Sequence, residues 1–335
     1  MITHVKIQNY RSFVEAEVDL QPFSLVVGAN GSGKSNLFRF FGSITSTSRT
    51  VTGKGIANAC IWQTHVSNKK DSFGFEVAFD DHGPIVGTKG VAPPDSKELL
   101  CELSEKWPWN RGVIPIYNIV PDKVSSVEAA VPAARVNADG SGTAQVLDIL
   151  KNGDREDLFD LIEENLRRYI PNIEKLSLRT VEEGKKQIQV REKAIKEPFL
   201  ASELSEGTRI VVALLTILHQ QNGPRLLLLE DIDRGLHPRL FQLAVPLMRD
   251  IAERNKINIF ATTHNPYLVD CFQDNKEAVI IVEKKDGAST LSTLASRLEG
   301  LDYDKIDPDD MPLGNLWFSG FVGGVPASLT RRPVA

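Results

Sequence analysis

Hydrophobic and polar positions alternate along Met1–Tyr10 and Glu15–Leu20, the period-two mark of half-buried strands, whereas Phe23–Val27 is apolar nearly throughout, as a strand covered on both faces must be. Asn36–Ser43 follows with helical spacing, and Phe73–Phe79 alternates as another strand. Thr45–Gly55 is rich in Ser, Thr and Gly and reads as a mobile loop, and Gly and Pro recur between Asp81 and Pro94. Further on, Ala144–Lys151 and Arg155–Tyr169 carry apolar residues at helical intervals, while Ile173–Val181 and Gln187–Arg191 predict strands flanking a Glu183-Gly184 turn. Thr208–Leu218 is apolar nearly all round, hence a buried helix. The remainder alternates strand and helix through Arg225–Leu229, Pro238–Arg254, Ile257–Thr262, Pro266–Cys271 and Ala278–Val282. Such alternation predicts an α/β fold with a largely parallel core sheet, and the middle segment reads as an inserted subdomain. The chain has no internal repeat and no heptad run of coiled-coil length.

Composition narrows the class. With 335 residues, 41% of them hydrophobic, the chain can build one large α/β domain or two smaller ones. No apolar run reaches the length of a membrane span, and Met1–Phe13 interleaves His4, Lys6, Gln8, Asn9 and Arg11, unlike a signal peptide. Cys60, Cys101 and Cys271 are odd in number, far apart and without metal-ligand spacing, so the expected setting is a reducing cytoplasm. A net charge of −5 withholds the basic signature of a nucleic-acid binder. Lys185, Lys186, Arg191 and Lys193 form a candidate basic patch, which reads more simply as a solvated charged strand. Trp107 and Trp109, beside Pro108, are expected to pack rather than bind.

Candidate chemistry begins at Gly28-Ala29-Asn30-Gly31-Ser32-Gly33-Lys34-Ser35, a G-x-x-x-x-G-K-S run between a predicted strand and a predicted helix. Backbone N–H groups at a helix N-terminus meet the dense charge of a triphosphate, and glycines let the backbone close around it without Cβ clashes. Lys34 is then expected to reach the β- and γ-phosphates of ATP, and Ser35 to ligate Mg²⁺. Leu226–Leu229 ends in Glu230-Asp231, so a buried strand delivers two carboxylates to a sheet's C-terminal edge, where open α/β sheets bind ligands. Glu230 fits the metal, and Asp231 can polarise the attacking water. Leu204-Ser205-Glu206-Gly207 precedes the buried helix and offers a second anion-binding terminus; alone it would be no more than a helix cap. His264 follows the strand Ile257–Thr262 directly, which places an imidazole at the same kind of edge.

In this order the motifs resemble the ABC-type ATPase heads of the RecF, SMC and OLD group, especially its compact stand-alone ATPases, along nearly the whole chain. Val5–Phe13 is similar to the group's opening strand and turn, which implies that Arg11 and Ser12 border adenine and ribose. Gly28–Ser35 resembles its Walker A loop, with Asn30, Gly31, Ser32, Gly33, Lys34, Ser35 and Asn36 as nucleotide contacts. Leu204–Gly207 resembles its signature motif, Leu226–Asp231 its Walker B strand, Gly235-Leu236-His237-Pro238 its D-loop, and His264 its switch histidine.

The resemblance implies a P-loop NTPase of ABC-head type with a mixed central sheet, flanking helices and an inserted lid. The segments expected are an N-terminal lobe over 1–90, a lid over 91–200, a C-terminal lobe over 201–300 and a tail over 301–335. It also implies two heads sandwiching two ATP molecules, Ser205 of one facing the phosphate held by Lys34 of the other. A homodimer or larger oligomer that gates an effector such as a nuclease or Toprim-like protein, in phage defence, is the leading expectation. A RecF-like repair ATPase that grips DNA, and an ABC-transporter subunit, are the alternatives. The chain departs from the group's pattern in two places. Its Walker B strand ends in Glu-Asp, so hydrolysis is expected to be slow, and no clear Q-loop is present, Gln63 being only a candidate. In the tail, acidic Asp302–Asp310 leads to Leu313–Phe318 and Gly320–Val325, expected to close against the head, with a docking surface as the alternative.

Overall fold

A computed structural model describes residues 1–45, 49–52, 55–58, 72–80, 85–90, 114–129, 134–182, 184–221, 223–301 and 311–326. The chain divides into two compact units, one formed by 1–114 with 260–335, the other by 115–259.

In the first unit β1 (Ile2–Tyr10), β2 (Phe13–Asp19), β3 (Phe23–Val27), β4 (Arg49–Thr52), β5 (Gly55–Asn58), β6 (Ser72–Phe79) and β7 (Ile85–Gly90) occur in the first half of the chain. β1 pairs antiparallel with both β2 and β6, giving the order β2-β1-β6-β7. The tight β1–β2 connection needs left-handed backbone at Asn9 and Arg11, with φ of 56° and 51°. Thr45–Gly55, read from sequence as a loop, instead contributes to an antiparallel pair, β4 with β5. The Thr-Val-Thr of β4 favours a pleated strand even within a small-residue segment.

β3 is buried at every position, and the helix Lys34–Thr45 follows it, burying Leu37, Phe38, Phe40 and Phe41. An aromatic cluster fixes that helix within the unit: Phe40 stands edge-on to Tyr10 and Phe75 at centroid distances of 5.6 and 6.2 Å, and Phe41 lies 5.0 Å from Phe260.

The second unit contains β8 (Ile116–Tyr117), β9 (Glu128–Ala129), β10 (Ile173–Glu182), β11 (Lys185–Glu192), β12 (Phe199–Leu200) and β13 (Leu226–Leu229). β10, β11 and β12 form an antiparallel sheet, and β13 pairs in parallel with β8. The helix Glu206–His219 is buried continuously from Arg209 to His219, as its all-round apolar sequence requires. Thr143–Asn152 and Glu156–Tyr169 pack against it with their apolar stripes. Pro238–Arg254, expected as one helix, is a 3₁₀ turn over Pro238–Leu240 followed by the helix Phe241–Asn255.

β14 (Asn258–Thr262) carries the chain back to the first unit, where the short helix Pro266–Asp270, β15 (Val279–Lys285) and β16 (Ala288–Thr293) follow. β15 is parallel to β3, but β16 returns antiparallel to β15. The sheet is therefore mixed, as the resemblance implies, because Asp286-Gly287, with φ of 51° and 85°, makes the two-residue turn that joins adjacent antiparallel strands. The helix Leu313–Phe318 packs on Pro266–Asp270: Gly314 lies so close that an added Cβ would come within 2.1 Å of the Pro266 carbonyl oxygen, and its N–H donates to the Asp270 carboxylate at 2.7 Å.

Candidate functional site

The loop between β3 and the helix Lys34–Thr45 is shaped by what surrounds its glycines. Gly28 has room for no side chain, since a Cβ there would lie 2.3 Å from the Val282 carbonyl oxygen. At Gly33, with φ of 122°, a Cβ would meet Ser289 Oγ at 2.6 Å and Ser12 Oγ at 3.1 Å. Lys34 is only 8% exposed, and its ammonium donates to the carbonyls of Gly28 at 2.7 Å and Ala29 at 3.1 Å. The cation is thus folded back over the loop that precedes it. Asn30, Gly31 and Ser35 are exposed, while Ser32, Gly33 and Lys34 are buried. Asn36 Nδ2 donates to Ser12 Oγ at 2.9 Å, tying the helix start to the β1–β2 turn.

Two buried polar atoms here, Arg11 Nε and Ser32 Oγ, make no hydrogen bond. Each carries a desolvation cost that a polar ligand could relieve. Arg11 Cζ stands 5.8 Å from the Tyr10 ring centroid, which holds its guanidinium at the turn. His264 is exposed one residue after Thr263, whose N–H donates to the Val26 carbonyl at 3.4 Å, so the imidazole stands at the edge where β3 ends and the loop begins. The adjoining Asn265 caps the helix Pro266–Asp270 by accepting from the Tyr267 N–H at 3.0 Å.

The other candidates belong to the second unit. β13 is fully buried, and the Glu230 N–H continues its ladder by donating to the Tyr117 carbonyl at 2.8 Å. The chain then turns sharply: Asp231 takes a φ of 47°, and its carbonyl accepts from the Arg234 N–H at 2.9 Å. Glu230 is half-buried and Asp231 exposed, at a concavity also lined by Tyr117, Asn118, Ile210 and Arg234. Ser205 caps the helix Glu206–His219, its Oγ accepting from the Thr208 N–H at 3.2 Å. Gly207 faces the Gly235 carbonyl so closely that a Cβ would approach it to 2.6 Å, so the Ser205–Gly207 segment and the Gly235–Pro238 segment are locked together.

Sequence reasoning missed the residues that brace these segments. Ser289 on β16 is one, and the Asp-Gly pair just before it was the signal for its strand. Arg209 is the other: it is buried one turn into the helix and donates through Nη1 to Asp122 at 2.7 Å and Ser125 Oγ at 3.0 Å. The basic patch is partly neutralised, since Arg191 forms a paired contact with Glu174 at 3.0 and 3.2 Å and Lys186 lies 3.7 Å from Asp148. In the tail Trp317 is buried while Phe318 is 69% and Phe321 45% exposed, so that segment closes against its unit and presents two aromatic rings outward. Gln63, Trp107 and Trp109 lie outside the described residues.

Among the described residues no three His, Cys, Asp or Glu gather as a metal site. Mg²⁺ commonly needs no such cage, because it keeps waters and takes substrate phosphate oxygens beside one or two protein ligands. The exposed Ser35 hydroxyl and the Glu230 carboxylate are oxygen donors of the kind it accepts. No helix among the described residues is long and apolar enough to cross a membrane.

Residues 1–114 match a family model described as an AAA ATPase domain, and residues 136–270 match one described as an AAA domain, putative AbiEii toxin, type IV TA system. A sequence comparison with curated proteins found no match. Among solved structures, an SMC head bound to the C-terminal winged-helix domain of ScpA is similar over 87% of this chain and 97% of its own, with a TM-score of 0.56 and 17% identity. The SMC head domain from Thermotoga maritima is similar over 87% and 98%, with a TM-score of 0.50 and 13% identity. Two ATPase-domain models thus match separate stretches of the chain, and its fold is similar to the P-loop head fold of the SMC structures.

Proposed function

We propose that the chain binds ATP at Gly28–Ser35 with Mg²⁺, hydrolyses it slowly, and uses an ATP-sandwiched dimer to gate a partner effector in phage defence. The observation that carries nucleotide binding is the loop itself: Gly28 and Gly33 leave no space for side chains, its lysine is held over it, and Ser32 Oγ is buried unsatisfied. Backbone N–H groups and Lys34 bind the phosphates, Ser35 and Glu230 hold Mg²⁺, and Arg11 and Ser12 border the base and sugar. Asp231 orients and deprotonates the attacking water, and His264 donates toward the γ-phosphate. Mg²⁺ supplies neutralisation of phosphate charge.

Ser205 and Gly207 serve the nucleotide of the second protomer in this reading. The family description naming a putative AbiEii toxin supports a defence setting, and the SMC head bound to ScpA supports a head that engages another protein. The net charge of −5 and the paired Arg191 favour a protein over DNA as the recipient.

Lys34→Ala is expected to weaken ATP binding at least tenfold by calorimetry, about 1.4 kcal/mol, and unchanged affinity would overturn the loop's role. Ser205→Arg should retain ATP binding yet abolish nucleotide-dependent dimerisation in light scattering. Nanomolar, salt-sensitive DNA binding with DNA-stimulated turnover would instead support the repair reading.

A further inference from the structure

We infer that Ser289 is a positioning residue of the nucleotide site, a latch that fixes the orientation of the Ser32–Gly33 peptide in the phosphate loop. The inference rests on the proposed binding of ATP by Gly28–Ser35.

Ser289 sits on β16 opposite Lys284 and is 1% exposed. Its Oγ donates to the Ser32 carbonyl oxygen across 257 residues of sequence, at 2.5 Å, and its backbone N–H donates to the Ser12 carbonyl at 2.7 Å. Ser12 Oγ in turn accepts from Asn36, so three separate elements close around one peptide unit.

A trans peptide is planar, with its C=O and N–H pointing in opposite directions. Holding the Ser32 carbonyl on the Ser289 side therefore turns the Gly33 N–H away from Ser289. Gly33 has a φ of 122° that other residues rarely adopt, and glycine pays no steric penalty for rotating out of it. On its Gly33 side this peptide has no side chain of its own to restrain it. Rotation would aim a carbonyl dipole where an N–H is needed for an anion, and would strand the buried Ser289 hydroxyl. The latch keeps the donor in place before nucleotide arrives, which lowers the ordering cost of binding.

The test compares the full chain with Ser289→Ala and Lys34→Ala, measuring MgATP and MgADP binding by calorimetry, the melting temperature without nucleotide, and steady-state hydrolysis. Ser289→Ala should weaken MgATP and MgADP by similar factors of about ten, raise KM accordingly and leave kcat within about twofold, because the residue touches the loop and not the water. A purely structural serine would lower the melting temperature and leave both affinities within about twofold, which overturns the latch. If Ser289→Ala binds like the unmodified protein while Lys34→Ala does not, the latch fails and the nucleotide reading stands. If the unmodified chain binds neither nucleotide, both fall. A Ser289→Ala chain with native affinity but reduced kcat also overturns the latch, since it would move the residue's influence from binding to chemistry.

Discussion

In the loop Gly28–Ser35 the cation is buried and bonded to two carbonyls, and the loop is braced by distant Ser289, with Ser12 bonded to the adjoining Asn36. At the end of β13 and the start of the helix Glu206–His219, by contrast, the segments are braced through Gly207 against Gly235 and Arg209 against Asp122, but Asp231 and Ser205 themselves are exposed. Phosphate recognition needs fixed N–H groups and a fixed charge, all of which one chain can preorganise. A carboxylate that must polarise one particular water does so weakly while bulk water surrounds it, and gains strength only when the site is covered. The contrast matches a protein that grips nucleotide alone and reacts once a second surface closes over it, as the proposed dimer would.

The largest effect expected concerns the open half. Asp231→Asn should lower kcat by roughly 10²- to 10⁴-fold while leaving ATP affinity within about threefold, read by phosphate release and calorimetry. Near-native turnover would mean that the exposed carboxylate is not the base.

The next effect lies in the braced half. Trp317 is buried at the tail turn, where Gly324 approaches both its ring and the Cα of Gly28, so Trp317→Ala should cost about 3–5 kcal/mol of stability. Phe318→Ala, at an exposed ring one residue on, should change stability by no more than about 0.5 kcal/mol. Denaturant titration separates the two, and equal costs would dissolve the distinction between the packed and outward faces of the tail.

The smallest effect tests whether the second unit is open only at its edge. Burial lowers the His219 pKa to about 4, and its Nε2 has no hydrogen-bond partner. The unfolded chain binds a proton at about 6.5 that the folded chain refuses until about 4, so stability is full above pH 6.5 and falls as the pH drops toward 4. The loss should reach about 3 kcal/mol, and His219→Leu should flatten it. An unchanged acid slope in that variant would place the sensitive group elsewhere.

What could be read from sequence was what is encoded locally. Glycine spacing, a β3 apolar but for Ser24 and a nearly all-round apolar Thr208–Leu218 announce the phosphate loop, a buried strand and a buried helix without reference to anything distant. Ser289 escaped because serine on a strand is unremarkable until its partner, the carbonyl of Ser32, is known. Alternation of strands and helices hid the antiparallel β15–β16 hairpin, although Asp286-Gly287 carried that signal. Arg209 read as one polar residue in an apolar helix, and only Asp122, 87 positions earlier, explains its burial.

The reach from Ser32 to Ser289 also bears on how the protein is made. At roughly 5–20 residues per second, the loop leaves the ribosome about ten seconds to a minute before the serine that latches it. Residues 115–259, the entire second unit, are synthesised in that interval and can fold as one body, while the first unit waits for its returning half. With the inferred latch, the proposed ATP binding reaches full strength late in translation, once the β15–β16 hairpin has been made.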